Sequence, residues 1–154
     1  MIRLMGQADL VAASNLAGQL VRQHHGFDAK RFFTVDDPET GYRSWFARQL
    51  GAPDTVLLVA EVEGEVAGYL YGSLEDRDWA RLLDAHGAIH DIFVDARFRR
   101  RGLATALMRA GIDAFKQKGA KQVVLSSATP NGDAQAVFER LGFRRTMVEM
   151  TLET

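Results

Sequence analysis

Apolar residues recur at helical spacing in four stretches of the chain, and alternate or run together in six shorter ones. Leu10, Ala13, Leu16, Ala17 and Leu20 predict an amphipathic helix from Asp9 to His24. Tyr42, Trp45, Phe46 and Leu50 predict a second, capped by Asp36 or Asp37 with Pro38 in its first turn. Leu103, Leu107, Ala110, Ala114 and Phe115 share one face of a helix over Gly102–Lys118, and Ala134, Val137, Phe138 and Leu141 one face over Asn131–Leu141. Strands are expected at Ile2–Met5, Thr55–Val62, Val66–Leu74, Ala88–Val94, Gln122–Ser127 and Phe143–Leu152. Glu63-Gly64-Glu65 reads as a hairpin turn, and Glu75–His86 as loop or short helix.

The order is β-α-α-β-β-β-α-β-α-β. A hairpin lies in the middle, and later helical crossovers demand parallel neighbours. The expected class is α/β (α+β): a mixed twisted sheet flanked by helices. No repeat or Pro-rich linker interrupts the chain, so a single domain over 1–154 is expected. The last strand shows no turn as far as Glu153, which leaves a sheet edge open to a partner chain.

At 154 residues, 47% hydrophobic and 25% charged, the composition is that of one globular domain. The longest apolar run, Val56–Ala60, is too short to span a bilayer, and Met1–Met5 does not read as a secretory leader. There is no cysteine, which excludes disulfides, a thiol nucleophile and thiolate metal sites. No other convergent metal ligands are evident, so no metal is expected; a cytoplasmic location is. The net charge of −1 hides a split: residues 1–96 carry 8 Lys/Arg against 15 Asp/Glu, residues 97–154 carry 11 against 5. The later part is suited to meet an anion and the earlier part a cation.

The chemistry concentrates between Ile89 and Thr105. The strand ending His90-Asp91-Ile92-Phe93-Val94 runs into Asp95-Ala96-Arg97-Phe98, then Arg99-Arg100-Arg101-Gly102-Leu103-Ala104 opens a helix. Free amides at a helix start, the dipole's positive end, small residues and four arginines make a pyrophosphate cradle. It lacks the Gly-Lys-Ser/Thr of a Walker loop, and Arg99 stands where a dinucleotide fingerprint has its first glycine. Nucleic-acid binding is not expected, because no recognition pattern accompanies the arginines.

Arg99-x-x-Gly102-x-Ala104 after this strand resembles motif A of the GNAT superfamily of acetyl-CoA-dependent N-acetyltransferases. Asn131-x-x-Ala134-x-x-Val137-Phe138-x-x-x-Gly142-Phe143 resembles its motif B, and the element order is similar from Ile2 to Leu152. The resemblance implies that Arg99, Arg100, Arg101, Gly102, Leu103, Ala104 and Thr105 form the pyrophosphate site. It further implies that Ile92, Phe93 and Val94 hold the pantetheine by main chain, and that Asn131 contacts the cofactor or caps its helix. It implies acetyl-CoA as co-substrate, an amine as acceptor and a possible homodimer, without membrane or nucleic-acid partners.

A base for amine acetylation should titrate near neutrality, as histidine does. His90 is the candidate base, and His90–Val94 is similar to the diamine acetyltransferases, where an acidic residue precedes Asp-Phe-Phe-Val. Asp91 is the less favoured alternative: regular alternation points it to the opposite face, and a bulge would reverse that. Phe138 occupies a position where the family often has a tyrosine that protonates the departing thiolate. Ser126, Ser127, water, Tyr69 or Tyr71 could serve instead, or the thiolate leaves unaided. His24-His25 reads as a helix-end pair, and Trp45 and Phe46 as core or as pocket wall. Asp36, Asp37, Glu39, Glu75, Asp76 and Asp78 are expected to form an acidic rim that draws a cationic primary amine. A peptide or lysine amine, or a non-catalytic acyl-CoA-binding module, are the alternatives.

Overall fold

The structure is a computed structural model and describes all 154 residues. Its elements are β1 (Ile2–Leu4), α1 (Leu10–Phe27), α2 (Pro38–Gln49), β2 (Thr55–Val62), β3 (Glu65–Glu75), β4 (His86–Val94), α3 (Leu103–Gln117), β5 (Val123–Leu125) and α4 (Gly132–Arg140). The strands form one sheet in the order β1-β2-β3-β4-β5. The first three pairings are antiparallel, and β4–β5 is parallel. The mixed sheet flanked by helices agrees with the class expected from the sequence.

Local chemistry explains most boundaries. Asp37, not Asp36, caps α2: its Oδ1 accepts the Thr40 amide at 3.1 Å, and Pro38 follows as the first helical residue. Glu63 and Gly64 both adopt positive φ, 51° and 81°, as a tight two-residue hairpin requires. α1 runs past His24 to Phe27, and the Glu75–His86 region is a loop whose only pairing is the bridge between Asp78 and Leu83.

Strand alternation divides the core. Leu57, Val59, Tyr69 and Phe93 pack with Leu10, Ala13, Leu16 and Ala17 of α1 and Phe46 of α2. Val56, Leu58, Leu70, Ile89 and Val94 pack with Leu107, Met108 and Phe115 of α3 and Phe138 of α4. Phe115 packs closely on the sheet, because β4 and β3 offer glycine beneath it. A Cβ at Gly87 would stand 2.5 Å from the ring, and one at Gly72 2.8 Å from it. This close approach seats α3 under β4, so that the start of α3 meets the end of β4.

The closing strand expected over Phe143–Leu152 does not form. Residues 144–154 join no helix or strand, are exposed throughout and make no backbone hydrogen bond. α4 ends at Gly142 with φ 97°, and the Phe143 amide donates to the Phe138 carbonyl at 3.0 Å. Beyond that point Glu149 pairs with Arg31 of the α1–α2 connection (Nη2 to Oε1, 2.9 Å), and no residue of this segment pairs with β5. β5 itself is shorter than the Gln122–Ser127 expected.

Candidate active site

The turn between β4 and α3 leaves a row of backbone amides without partners in the chain. Arg100 and Gly102 both have positive φ, 61° and 76°. None of the amides from Arg100 to Thr105 donates a hydrogen bond within the chain, and α3 has no side-chain cap. Successive free amides in such a turn form an anion-binding nest at the positive end of the helix dipole. The arginines divide their work. Arg97 is tied to Asp95 (2.9 Å) and Glu65 (3.2 Å). Arg99 Nε donates to the Val94 carbonyl at 3.0 Å, which braces the turn against the strand. Leu103 packs its side chain into the core, so only its amide serves the nest.

From the nest, β4 leads back to a gap in the sheet. β5 pairs with Gly87, Ala88 and Ile89 and then departs, so the β5-facing edge of residues 90–94 meets no strand. On its other side β4 pairs with β3, with an irregularity: Tyr71 faces Asp91 but Gly72 faces Ile89, leaving His90 as the extra residue of a bulge. The bulge shifts the parity of the strand. Asp91 therefore does not point away from His90, as regular alternation predicts. Both line one cavity on the α1–α2 side of the sheet.

That cavity measures about 510 Å³ and is bounded by Val21, Phe33, Val35, Asp37, Pro38, Gly41, Tyr42, Trp45, Tyr71, His90 and Asp91. It is an aromatic box with two carboxylates and no lysine or arginine. Burial pushes the Asp91 carboxyl up to about 6, against the opposing effect of the Tyr69 hydroxyl, which donates to Oδ2 at 3.2 Å. Burial likewise pushes Tyr42 up to about 12 and raises Tyr69 and Tyr71, so these phenols stay protonated near neutrality. The Thr40 hydroxyl and amide hold Asp37 below the ordinary carboxylate range.

His90 stands at the cavity rim against the Tyr71 ring, centroids 5.1 Å apart. Ser73 Oγ donates to Glu75 Oε1 at 2.7 Å, so its single proton is committed. The 2.7 Å contact between Ser73 Oγ and His90 Nε2 must then run from Nε2–H to the hydroxyl. The neutral ring then carries its lone pair on Nδ1, with Glu75 on the far side of the Ser73 hydroxyl.

The other residues singled out in the sequence fall in varied places. Asn131 is the α4 cap, its Oδ1 accepting the Ala134 amide at 3.4 Å. Phe138 is core, packed on Phe143. Ser126 is exposed, whereas Ser127, just past β5, has a buried hydroxyl with no hydrogen-bond partner. Of the expected acidic rim, Asp37 lines the cavity and Glu75 backs His90. Glu39 pairs with Arg22, and Asp78 organises its own loop. The sequence reading does not single out Phe33 or Val35. Their signal is Phe32-Phe33-Thr34-Val35, an apolar run in a segment without periodicity, whose Phe33 is 81% exposed.

The sequence matches the acetyltransferase (GNAT) family over residues 25–143. The chain belongs to this family. It is similar to an uncharacterised N-acetyltransferase of Methanocaldococcus jannaschii, 30% identical over 129 residues, which are 82% of this chain and 54% of that protein. The chain thus spans about half the length of that relative. It is also similar to an N-alpha-acetyltransferase of Sulfurisphaera tokodaii, 31% identical, covering 72% of this chain and 70% of that one. Its fold is like that of the aminoglycoside N-acetyltransferase AAC(6')-Iy, solved in complex with CoA, with a TM-score of 0.80 at 23% identity over 100% of this chain and 93% of the other. No helix is long and apolar enough to cross a membrane.

Proposed function

We propose that this GNAT chain transfers the acetyl group of acetyl-CoA to the primary amine of a cationic small molecule. The carrying observation is the continuity along β4: a row of amides without intrachain partners at Arg100–Thr105, an unpaired strand edge over residues 90–94, and a carboxylate-bearing aromatic cavity at its far end. The nest takes the CoA pyrophosphate. The edge at Ile92–Val94 takes the pantetheine amides as an added strand. The thioester then reaches the gap where β4 and β5 part.

Asp91, ionised above about pH 6, receives the ammonium within the aromatic box. His90 Nδ1 takes a proton from that ammonium. The freed nitrogen attacks the thioester carbonyl, the new C–N bond forms and the C–S bond breaks, and the nitrogen's second proton passes to the departing thiolate, so that CoA thiol and a neutral amide are released. The imidazolium is held by the relay through Ser73 to Glu75. Phe138 has no proton to give, and Tyr69 is engaged with Asp91. Ser127 is the unpartnered hydroxyl beside the gap and is assigned to stabilise the thiolate.

A peptide amine is the competing acceptor, since a relative bears the name N-alpha-acetyltransferase. The lining of the cavity, with two carboxylates and no lysine or arginine, favours a compact cation. The test uses a favourable accident: with no cysteine in the chain, a thiol reagent reads released CoA without background. At saturating acetyl-CoA, kcat/KM should be highest for polyamines, aminoglycoside-like and lysine-like amines. It should fall as salt screens their attraction, since the Debye length is about 8 Å at physiological salt. Faster turnover of neutral, anionic or peptide amines, without a salt effect, contradicts this acceptor.

A further inference from the structure

We infer that Tyr69 is a positioning residue for acetyl transfer: its hydroxyl pins one oxygen of Asp91, so that the other is left to face the acceptor amine. This role presupposes the amine site of the proposed function.

The register of the sheet places the pair. Tyr69 stands opposite Phe93 and Tyr71 opposite Asp91, so Tyr69 and Asp91 are diagonal neighbours on one face. An aromatic side chain reaches that far across two strands. The Tyr69 hydroxyl donates to Asp91 Oδ2 at 3.2 Å. The ring behind it has no room to turn elsewhere. Tyr69 is 0% exposed, packed with Leu16 and Ala17 of α1, and Phe46 of α2 stands edge-on to it at 5.6 Å. A phenol has one proton, and this one is committed to Asp91. Tyr69 is thereby withdrawn from the candidates for protonating the thiolate.

The second carboxylate oxygen is the free one. Asp91 Oδ1 makes no hydrogen bond within the chain, yet it is not sealed away as the Ser127 hydroxyl is. It is the oxygen that remains for the cavity Asp91 lines. No cationic side chain is there to hold it ionised. α2 presents Tyr42 and Asp37, and Asp37 is itself bonded by Thr40. β3 presents Tyr71, with Glu75 behind Ser73, and β4 presents His90, whose Nε2 is turned to Ser73. α1 presents Val21, and the α1–α2 connection Phe33 and Val35. The Tyr69 bond is therefore the one contact within the chain that favours the charged carboxyl, against the burial that pushes it up to about 6.

Tyr69→Phe keeps the ring and removes only that bond. A hydrogen bond to an ionised group is worth roughly 10- to 100-fold in an equilibrium, so the Asp91 midpoint should rise by about one to two pH units. At saturating acetyl-CoA, kcat/KM for a cationic amine should fall by about two- to tenfold at pH 7 and match the unaltered protein near pH 9. The loss should sit in KM, because Asp91 seats the ammonium. Tyr69→Phe/Asp91→Asn should behave as Asp91→Asn alone at every pH. Carbon-13 NMR of labelled aspartate carboxyls in the free protein reads the same midpoint with no acceptor present, the Asp91 signal being the one lost in Asp91→Asn. An unmoved or lowered Asp91 midpoint in Tyr69→Phe, or an activity loss by the same factor at every pH, would overturn the role of Tyr69. A raised midpoint in a protein that turns over no cationic amine would overturn the acceptor reading and leave the pinning of Asp91 standing.

Discussion

His90→Ala should lower kcat for amine acetylation by about 100-fold, the usual scale for losing a general base, and leave acetyl-CoA binding unchanged. His90 lies at the cavity, away from the amides of Arg100–Thr105 to which the phosphates are assigned in the proposed function. Asp91→Asn should instead raise KM for cationic amines, because it removes the carboxylate that faces the ammonium. The two variants also separate by pH. In the unaltered protein, kcat/KM for a cationic amine should fall as pH drops below about 6, where Asp91 takes up a proton. Asp91→Asn should lose Asp91's share of that acidic limb and keep the share imposed by protonation of the His90 base. Stability should move the other way. The folded pKa of Asp91 is raised from 3.8 to about 6, so the cost of burying its charge is absent below pH 3.8 and fully present above pH 6. Asp91→Asn should therefore stabilise the protein at pH 8, by at most about 3 kcal/mol, and much less at pH 4. Urea unfolding at the two pH values, beside steady-state kinetics, checks both halves. Equal loss of kcat in both variants, or no gain in stability at pH 8, would contradict these roles.

Gly102→Glu should abolish acetyl-CoA binding while the protein still folds. A Cβ at Gly102 meets nothing within 4 Å, so no core contact is disturbed. Its φ of 76° makes a side chain there cost roughly 1–2 kcal/mol, which a domain of this size survives. The added carboxylate, however, stands at the mouth of the nest. With the unaltered protein, acetyl-CoA at about 100 times its dissociation constant adds roughly 2.7 kcal/mol, a rise in melting temperature of about 5–10 °C. The variant should show no rise at millimolar acetyl-CoA. An undiminished shift would place the pyrophosphate elsewhere.

The strand-turn-helix geometry with its free amides was legible in the sequence because its parts are local. A strand, a basic turn, Gly102 and an amphipathic helix lie within one short stretch, and the hairpin at Glu63-Gly64 and the cap at Asp37 are local in the same way. The acceptor site was less legible because it depends on register between distant segments. The bulge at His90 exists only relative to Tyr71 and Gly72 of β3, and it alone brings His90 and Asp91 to one face. The relay from Glu75 through Ser73 likewise crosses strands. Phe33 and Val35 carry no period, so nothing in the chain says which cavity they close. Residues 144–152 are the opposite case: the alternation reads as a strand, but the segment leaves α4 at Gly142 and makes no backbone hydrogen bond.

The most direct measurement follows the acetyl group itself. The protein is incubated with acetyl-CoA carrying a labelled carbonyl carbon and a polyamine acceptor, and thiol and labelled amide are quantified together. Equal amounts of free CoA and labelled amide, formed only when all three components are present, are the predicted result. CoA binding without any amide, or thiol release with labelled acetate in its place, would contradict the assignment of this chain as an amine acetyltransferase.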